Sequence, residues 1–415
     1  MLNRLWYSLF CIGFVSAFYQ WLVLDSPQIF SEIMVSLFEM AGLSVDIAIG
    51  LVGVMCLWLG LFRLAEKAGL IKHLSKGLEP LFAHLMPEIP RGHPAHASVT
   101  MNLAANMLGL DNAATPLGLK AMGDLQTLNP NKEQASNAQI LFLVLNTSSV
   151  TLFPVTIFLY RAQMGAADPS VVFLPILMAT TVSTIVGLLS VAWIQKINLF
   201  NRTVLSYGMG FSLLLSLLVY ACLSMDSSAL AEFSSLSGNL ILFSVVMFFI
   251  SFAFWKNVDV YSEFVEGAKE GFQISINLIP YLLAMLVAIG VLRASGALDL
   301  FLQLLTLGVD QTGLNSEFIA ALPTALMKPF SGSGARAMML ETMDNYGVDS
   351  FPALLSCIVQ GSTETTFYVI AVYFGSVGIK NVRHAILCGL LADFAGIVAA
   401  ILLGYWFFYP VVGVP

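Results

Sequence analysis

Residues 96–122 read HASVTMNLAANMLGLDNAATPLGLKAM, an apolar stretch interrupted by amides, an acid and a proline. Asn102 and Asn106 lie four residues apart and therefore share one face of a helix, and Gly109 through Pro116 are expected to break that helix. A break inside a bilayer exposes backbone N–H and C=O groups that lipid cannot satisfy, so it needs protein or a water-filled cavity around it. The stretch therefore predicts a re-entrant hairpin in a helical membrane protein.

The composition of the whole chain supports a membrane protein. Of 415 residues, 58% are hydrophobic and only 10% are charged, whereas a soluble domain carries about 25% charged residues. Runs of about 20 apolar residues, enough to cross a bilayer, predict spans near 4–24, 45–62, 138–160, 171–195, 204–224, 235–255, 273–292, 352–376 and 384–409. No basic stripe accompanies the net charge of −7, which excludes nucleic acid as a partner. The five cysteines form no metal or redox motif.

A second interrupted stretch occupies about 317–340 and continues to Met343, with residues 322–343 reading LPTALMKPFSGSGARAMMLETM. Its proline and glycines predict a hairpin tip, and Ser331 or Ser333 is expected to cap the helix that follows. The N-terminus of that helix, with Lys328 and Arg336 nearby, favours an anion. An outer loop whose Lys and Arg face water remains the alternative.

Basic residues orient the spans by the positive-inside rule. With Arg4 inside and a hairpin at 96–122, the inner loops hold Arg63, Lys67, Lys72, Lys76, Arg91, Lys120, Lys132, Lys196, Arg202, Lys256, Lys269, Lys380 and Arg383. Only Arg161 and Arg293 fall in outer loops. The chain is therefore expected in a bacterial inner (plasma) membrane as a multi-pass protein.

The two halves of the chain repeat a series of features. FSEI at 30–33 resembles YSEF at 261–264, and KAGL at 67–70 resembles ASGA at 294–297. Each half then has an interrupted stretch and a polar cluster that opens an apolar helix. The predicted topology sends 45–62 inward and 273–292 outward, so the copies are expected to be inverted, which is typical of secondary transporters. A duplicated scaffold remains the alternative.

We therefore predict an all-α, polytopic integral membrane protein with two inverted-topology repeats, re-entrant and broken helices, and a transporter-like arrangement. Residues 1–24 form a first transmembrane helix, because the apolar run lacks the small-residue cleavage site of a signal peptide. Residues 25–200 form the first repeat, 201–255 a linking transmembrane hairpin, and 256–415 the second repeat.

The polar clusters supply the candidate site. Glu364 is the candidate ion-coupling group, because an ionisable residue at membrane depth is functional by default and burial would raise its pKa; at the headgroup boundary it would be an ordinary solvated acid. The candidate solute-binding residues are Asn102, Asn106, Asp111, Asn112, Thr115, Asn146, Thr147, Ser148, Ser331, Ser333, Arg336, Gln360, Ser362 and Thr363. Asparagines that only join helices are the alternative.

Other chemistry has weaker support. His93 and His96 with Glu88 are candidate metal ligands, but nothing completes the set and Pro94 disfavours one regular helical face. No nucleophile, phosphate-loop or metalloprotease motif appears. We therefore expect no enzyme activity, metal or cofactor.

Several long strings resemble known families. Residues 102–122 with 145–152 (LNTSSVTL) resemble spore maturation protein A, and residues 328–336 with 360–368 (QGSTETTFY) and 373–379 (YFGSVGI) resemble spore maturation protein B. The chain from about residue 40 onward thus resembles the two proteins fused, with 25–200 similar to A and 256–415 similar to B. Both families carry the nucleoside-recognition or Gate domain, and this resemblance implies a transport-like membrane fold.

The leading hypothesis is a secondary transporter of a small polar or anionic metabolite, such as a nucleoside-like compound, coupled to protons or sodium. The alternative is a non-transporting gate or scaffold partner in a larger membrane assembly. The expected partners are the lipid bilayer and the solute, and the oligomeric state, including a homo-oligomer, stays open.

Overall fold

The computed structural model describes residues 2–90, 92–108, 111–311 and 315–412. Over these residues the chain is helical, and its one extended pairing is an isolated bridge between Gln134 and Asn381. The helices in order are α1 (Leu2–Val23), α2 (Ile29–Lys67), α3 (Leu70–Leu85), α4 (Pro94–Met107), α5 (Asp111–Leu128), α6 (Asn137–Thr147), α7 (Val155–Gln163), α8 (Phe173–Gln195), α9 (Arg202–Leu223), α10 (Ser227–Trp255), α11 (Val260–Ala294), α12 (Ala297–Asp310), a 3-10 helix (Glu317–Ala321), α13 (Leu322–Met327), α14 (Gly332–Tyr346), α15 (Phe351–Ser362), α16 (Thr366–Ser376) and α17 (Ala385–Val412).

Several described helices are long and apolar enough to cross a membrane. Six pass this test alone, and a seventh span results if the pair Leu282–Ala294 and Ala297–Asp310, bent by 67°, is counted as one. The helices predicted near 4–24, 171–195, 204–224, 235–255 and 384–409 are confirmed. A multi-pass membrane protein is therefore the architecture.

Two predicted spans are longer than expected. The helix predicted at 45–62 is part of α2, which runs unbroken over 39 residues. The helix predicted at 273–292 is part of the 35-residue α11. In both cases the amphipathic stretch before the span continues the same helix, because no glycine–proline turn or cap separates the two parts.

The predictions of simple spans at 138–160 and 352–376 are wrong, because both are broken. Residues 148–154 separate α6 from α7, and residues 363–365 separate α15 from α16. In the first break Pro154 lacks an N–H and disfavours helical backbone at the residue before it. The polar cluster at Asn146 and Thr147 therefore ends a helix instead of opening one.

The first hairpin also differs from its prediction. The break expected over Gly109 through Pro116 is shorter, since α5 begins at Asp111 and Pro116 lies inside it. A side chain ties the two arms of the hairpin together, because Asn102 of α4 donates to the Ala114 carbonyl of α5 at 2.7 Å.

The order of elements recurs along the chain. A long helix, a helix of 14 to 16 residues, a helical hairpin, a broken helix and an apolar helix occur as α2 to α8 and again as α11 to α17. The repeated features of the sequence have the same order: the FSEI or YSEF segment, the KAGL or ASGA segment, the interrupted stretch, the polar cluster and the apolar helix. The opposite orientation of the two copies stays a prediction.

The chain divides into two compact units. The first comprises Met1–Gly60, Thr156–Pro169 and Phe264–Gln360. In it α2 and α11 approach closely, because a Cβ on Gly271 would lie only 2.6 Å from the Met55 carbonyl oxygen. A glycine at this contact lets two helix backbones meet, as is common between membrane helices.

The second unit comprises Leu61–Val155, Ser170–Glu263 and Gly361–Pro415. Its core is a buried apolar cluster that includes Val99, Leu141, Phe142 and Phe374. α8 and α17 pack closely, and a Cβ on Gly187 of α8 would lie 3.2 Å from the Ala392 side chain of α17. This unit places α4, α5, α6 and α16 around one set of polar side chains.

Candidate functional site

The second unit contains a group of bonded side chains that we call the asparagine cluster: Asn102, Asn106, Asn146 and Tyr373. Asn106 on α4 donates from Nδ2 to Oδ1 of Asn146 on α6 at 2.6 Å. The Tyr373 hydroxyl on α16 donates to the same oxygen at 3.4 Å and accepts from Nδ2 of Asn102 at 3.4 Å. Asn102 and Asn146 are buried, whereas Asn106 is partly exposed. Three elements therefore meet through neutral hydrogen bonds.

Close packing fixes Tyr373 against the hairpin. A Cβ on Gly118 of α5 would collide with the Tyr373 hydroxyl. The Tyr373 ring also stacks on Phe142 of α6, with centroids 5.7 Å apart and an interplanar angle of 11°. The absence of a side chain at Gly118 thus lets the hydroxyl reach the asparagines.

The two helix breaks lie next to each other in this unit. The Glu364 N–H, in the break between α15 and α16, donates to the Thr147 carbonyl at the end of α6 at 2.7 Å. The Ser148 carbonyl accepts from the Thr184 hydroxyl of α8. Side chains and the opposite break therefore satisfy backbone groups that a continuous helix would satisfy internally.

Glu364 does not occupy the environment predicted for it. Its side chain is exposed, although its backbone is bonded to the other break. The expectation of a buried carboxylate is therefore wrong. The neighbouring Ser362 and Thr363 are buried and contact α17, where a Cβ on Gly396 would lie 3.0 Å from the Ser362 carbonyl oxygen.

The predicted site residues are divided between the two units, and a few of them lie outside the described residues. Asn102, Asn106, Asn146, Thr147, Ser148, Ser362, Thr363 and Glu364 belong to the second unit, whereas Ser331, Ser333, Arg336 and Gln360 belong to the first. Thr115 is an exposed residue of α5. The side chains of Asp111 and Asn112 lie outside the described residues, as do Gly109 and Arg91.

The second hairpin tip has the predicted cap. The Ser331 Oγ accepts from the Gly334 N–H at 3.0 Å and lies 3.2 Å from the Ser333 Oγ. Arg336 stacks over the Tyr160 ring at 5.4 Å from its centroid. Lys328 is only 3% exposed, so the alternative of a lysine in a water-facing loop is wrong.

Two buried charged groups in the first unit were not foreseen. Arg161, predicted in an outer loop facing water, is fully buried and donates to Asp349 Oδ1 at 2.9 Å. Glu341 is buried in an ion pair with Arg293 and accepts from Asn345 at 2.7 Å. Sequence spacing gives no signal for these pairs, because the partners are distant along the chain or placed by tertiary packing.

Two further residues of the second unit were missed. Tyr373 lies in an apolar run and looks like an ordinary aromatic core residue. Asp393 is an acid inside the apolar run predicted at 384–409, and it is 1% exposed. An ionisable residue within a membrane span is itself a signal of function, so Asp393 was detectable from the sequence.

The candidate metal ligands have other contacts. The His93 Nδ1 accepts from the Ala95 N–H at 3.2 Å, and the His96 Nε2 lies 3.2 Å from the Ile89 carbonyl oxygen. Glu88 accepts from the Asn137 side chain at 2.8 Å. Among the residues whose positions are described, no three His, Cys, Asp or Glu side chains form a group that could hold a metal.

The chain is similar in sequence to one protein family and to two curated proteins. The nucleoside-recognition family named Gate matches residues 48–164 and 275–380. Spore maturation protein B of Bacillus subtilis (strain 168) is 48% identical over 148 residues, which cover 36% of this chain and 82% of that protein. Spore maturation protein A of the same organism is 38% identical over 185 residues, which cover 45% of this chain and 91% of that protein.

No solved structure matches the chain. The two family segments together cover more than half of the 415 residues, and they include both hairpins and both helix breaks. The chain belongs to the nucleoside-recognition (Gate) family and is similar in different parts to spore maturation proteins A and B.

Proposed function

We propose that this protein is a secondary transporter of a small polar or anionic metabolite, driven by a proton or sodium gradient across a bacterial inner membrane. The observation that carries the proposal is the asparagine cluster beside two adjacent helix breaks in a membrane protein. The name of the family, nucleoside recognition, supports a nucleoside-like compound among the solutes to be tested.

The bonding of the cluster suits reversible binding. Asn106 and Asn146 bond to each other through their side chains, and an amide can donate and accept with equal ease. A polar solute that enters between Asn106 and Asn146 breaks their hydrogen bond but makes new hydrogen bonds to both amides. The free-energy cost of opening the cluster is therefore small. Partly exposed Asn106 is the side chain of the pair that a solute would meet first.

The breaks suit a binding site inside a membrane. Discontinuous helices in transporters place backbone ends near the middle of the bilayer, where they contact solutes and ions. In this chain the breaks bring Glu364 to the end of α6, one residue from Asn146. We therefore assign the solute path to Asn106, Asn146 and Glu364, with Asn102 and Tyr373 in support.

Asparagines that serve only to join helices explain the same contacts less well. Polar bonds between membrane helices are commonly made by isolated side chains. Here three amides and a tyrosine converge where two helices are interrupted, and an interruption requires protein or water around it. The convergence supports a polar chamber.

The experiment begins with a search for the solute. The purified full chain is screened by thermal unfolding against metabolites and nucleosides, because a compound that binds the folded state raises its stability. Solute-dependent counterflow is then measured in proteoliposomes for the wild type, Asn106→Ala and Glu364→Gln. We expect both variants to abolish counterflow.

Matched controls use exposed residues of α10. Asn239→Ala and Glu232→Gln make the same chemical changes on exposed side chains, and we expect wild-type counterflow from both. Unchanged flux in Asn106→Ala and Glu364→Gln would remove the proposed site. Failure of every solute to stabilise the protein, together with one stoichiometric membrane partner on purification, would favour the scaffold instead.

A further inference from the structure

Asp393 is an acid buried within an apolar helix. It lies in the candidate span Ala385–Tyr409, whose mean hydropathy is 2.5, and its exposed fraction is 1%. Acids at such positions face the protein interior or a wet cavity and mark paths of ions or solutes. The exposed Glu364 does not have this character, so Asp393 is the stronger candidate for a buried ion ligand.

The face of α17 that carries Asp393 packs on the second helix break. Gly389, Asp393 and Gly396 are spaced by four and three residues and therefore lie on one face. A Cβ on Gly389 would lie 3.1 Å from the Thr366 hydroxyl, and one on Gly396 would lie 2.5 Å from the Thr363 methyl. On this face Gly396 thus contacts the segment that joins α15 to α16, and Gly389 contacts the first residue of α16.

The Asp393 side chain leans in the direction that brings its carboxylate toward Thr366. Side chains on a helix lean toward its N-terminus and cover the preceding turn. The carboxylate of Asp393 therefore covers the turn of Gly389, which is the turn that Thr366 contacts. Gly389 and Gly396, which lack side chains, leave the space on this face to Asp393 and to the residues of the break.

Thr366 supplies an independent sign of a ligand. Its hydroxyl is fully buried and has no hydrogen-bond partner in the described part of the chain. Buried hydroxyls nearly always have a partner, and an exception calls for a water or an ion. Ser183 of α8 also packs against this face, because a Cβ on Gly396 would lie 3.1 Å from the Ser183 Cβ, but its hydroxyl already donates to the Ala392 carbonyl at 3.0 Å.

We propose that Asp393 and Thr366 bind a sodium ion on this face of α17. The donors are all oxygen, which suits a hard cation. A single carboxylate balances a single positive charge, whereas dedicated divalent sites use several carboxylates. The ion's role in coupling rests on the proposed function, but its binding does not.

The test measures sodium binding by the full chain in detergent. The midpoint of thermal unfolding is followed in increasing NaCl against choline chloride, at constant ionic strength and pH. We expect a saturable rise with sodium alone in the wild type and no rise in Asp393→Asn. Thr366→Val keeps the charge and removes one ligand, and its half-maximal sodium concentration should be about tenfold higher, the scale on which a supporting group alters metal affinity.

The control is Asp299→Asn, which neutralises a half-exposed acid of α12 and should respond like the wild type. Equal stabilisation by sodium and choline, or a wild-type sodium response in folded Asp393→Asn, would overturn the proposal. If Asp393→Asn does not fold, an unshifted response in Thr366→Val would overturn it. Sodium binding without solute counterflow would remove the proposed function alone, and counterflow without sodium binding would remove this inference alone.

Discussion

Arg161 and the asparagine cluster are two different solutions to the burial of polar groups. Arg161 is a full charge with no exposed surface, and it donates to the carbonyls of Asp168, Pro169 and Val348 at 3.0–3.2 Å and to Asp349. The asparagine cluster is neutral, and its central bonds join one side chain to another. The first arrangement ties backbone segments together, whereas the second ties side chains together.

The two arrangements differ in whether their hydrogen bonds can be exchanged for hydrogen bonds to another molecule. Backbone carbonyls around Arg161 cannot turn away without moving the chain, and a buried charge that loses its partners is costly. A neutral amide pair can open and bond to another molecule at little net cost. We therefore infer that the arginine site serves stability and that the asparagine cluster serves binding.

The largest expected effect comes from Arg161. Arg161→Ala leaves three carbonyls without their donor, and a buried polar group left unsatisfied costs about 1–3 kcal/mol, so the three together should cost about 3 kcal/mol or more. Asp349 contributes less, because it is 47% exposed and keeps a bond from the Ala167 N–H. The free energy of unfolding can be measured by titration with SDS in mixed micelles. Arg202→Ala, which removes an exposed arginine, should change it little. Equal losses in the two variants would contradict a structural role for Arg161.

The next effect comes from Gly118. Gly118→Ala places a methyl group against the Tyr373 hydroxyl, and overpacking of this kind costs about 1–3 kcal/mol. We expect counterflow to fall as well, because Tyr373 must leave the asparagines. Gly123→Ala on the same helix, where a Cβ meets nothing within 4 Å, is the control. A Gly118→Ala protein with wild-type flux would show that Tyr373 does not position the cluster.

A smaller loss of stability is expected from the cluster itself. Asn106→Ala removes one bond between membrane helices, and such bonds contribute about 0.6 kcal/mol on average. Its unfolding free energy should therefore stay near the wild-type value while counterflow is lost. A destabilisation as large as that of Arg161→Ala would show that the cluster, like Arg161, serves stability, and would contradict the difference in role.

The smallest effect concerns a pair near the ends of the long helices. Arg63 donates to Glu263 at 2.7 Å, and this bond, with a smaller effect of Lys67, holds the pKa of Glu263 below its ordinary value of 4.5. A lowered folded-state pKa gives stability that is present above pH 4.5 and is lost as pH falls through the folded value. Both side chains are about one quarter exposed, so screening keeps the effect small.

Measurement of the thermal midpoint between pH 6 and pH 3 tests this pair. The difference between the wild type and Glu263→Gln should be present at pH 6 and should close toward pH 3. Glu266→Gln, which alters a half-exposed acid of the same helix, is the control. A difference that persists unchanged to pH 3 would contradict the assigned cause.

Much of this architecture follows from local sequence. Long apolar runs are sufficient to predict α1, α8, α9, α10 and α17, because a helix that crosses lipid must satisfy its backbone internally. The Ser331 cap was also predictable, because a serine after a proline–phenylalanine turn has few other roles.

The features that were not predicted depend on tertiary contacts. The break after Thr147 is stabilised by the Glu364 N–H, more than 200 residues away, so no local pattern reveals where α6 ends. The burial of Arg161 depends on Val348 and Asp349 in the same way. Asp393 differs from these residues, because its place inside an apolar run marks it as a candidate functional residue from the sequence alone.

The most direct measurement of the central claim is the access of water to Asn106. In a variant whose five native cysteines are replaced, Asn106→Cys is exposed in sealed vesicles to a small, charged thiol reagent that does not cross lipid. Leu214→Cys, exposed on the apolar helix α9, and a loop cysteine at Asn131 serve as the unreactive and reactive references. We predict reaction at position 106, and no reaction there, in a protein whose loop reference reacts, would contradict a wet chamber at the asparagine cluster.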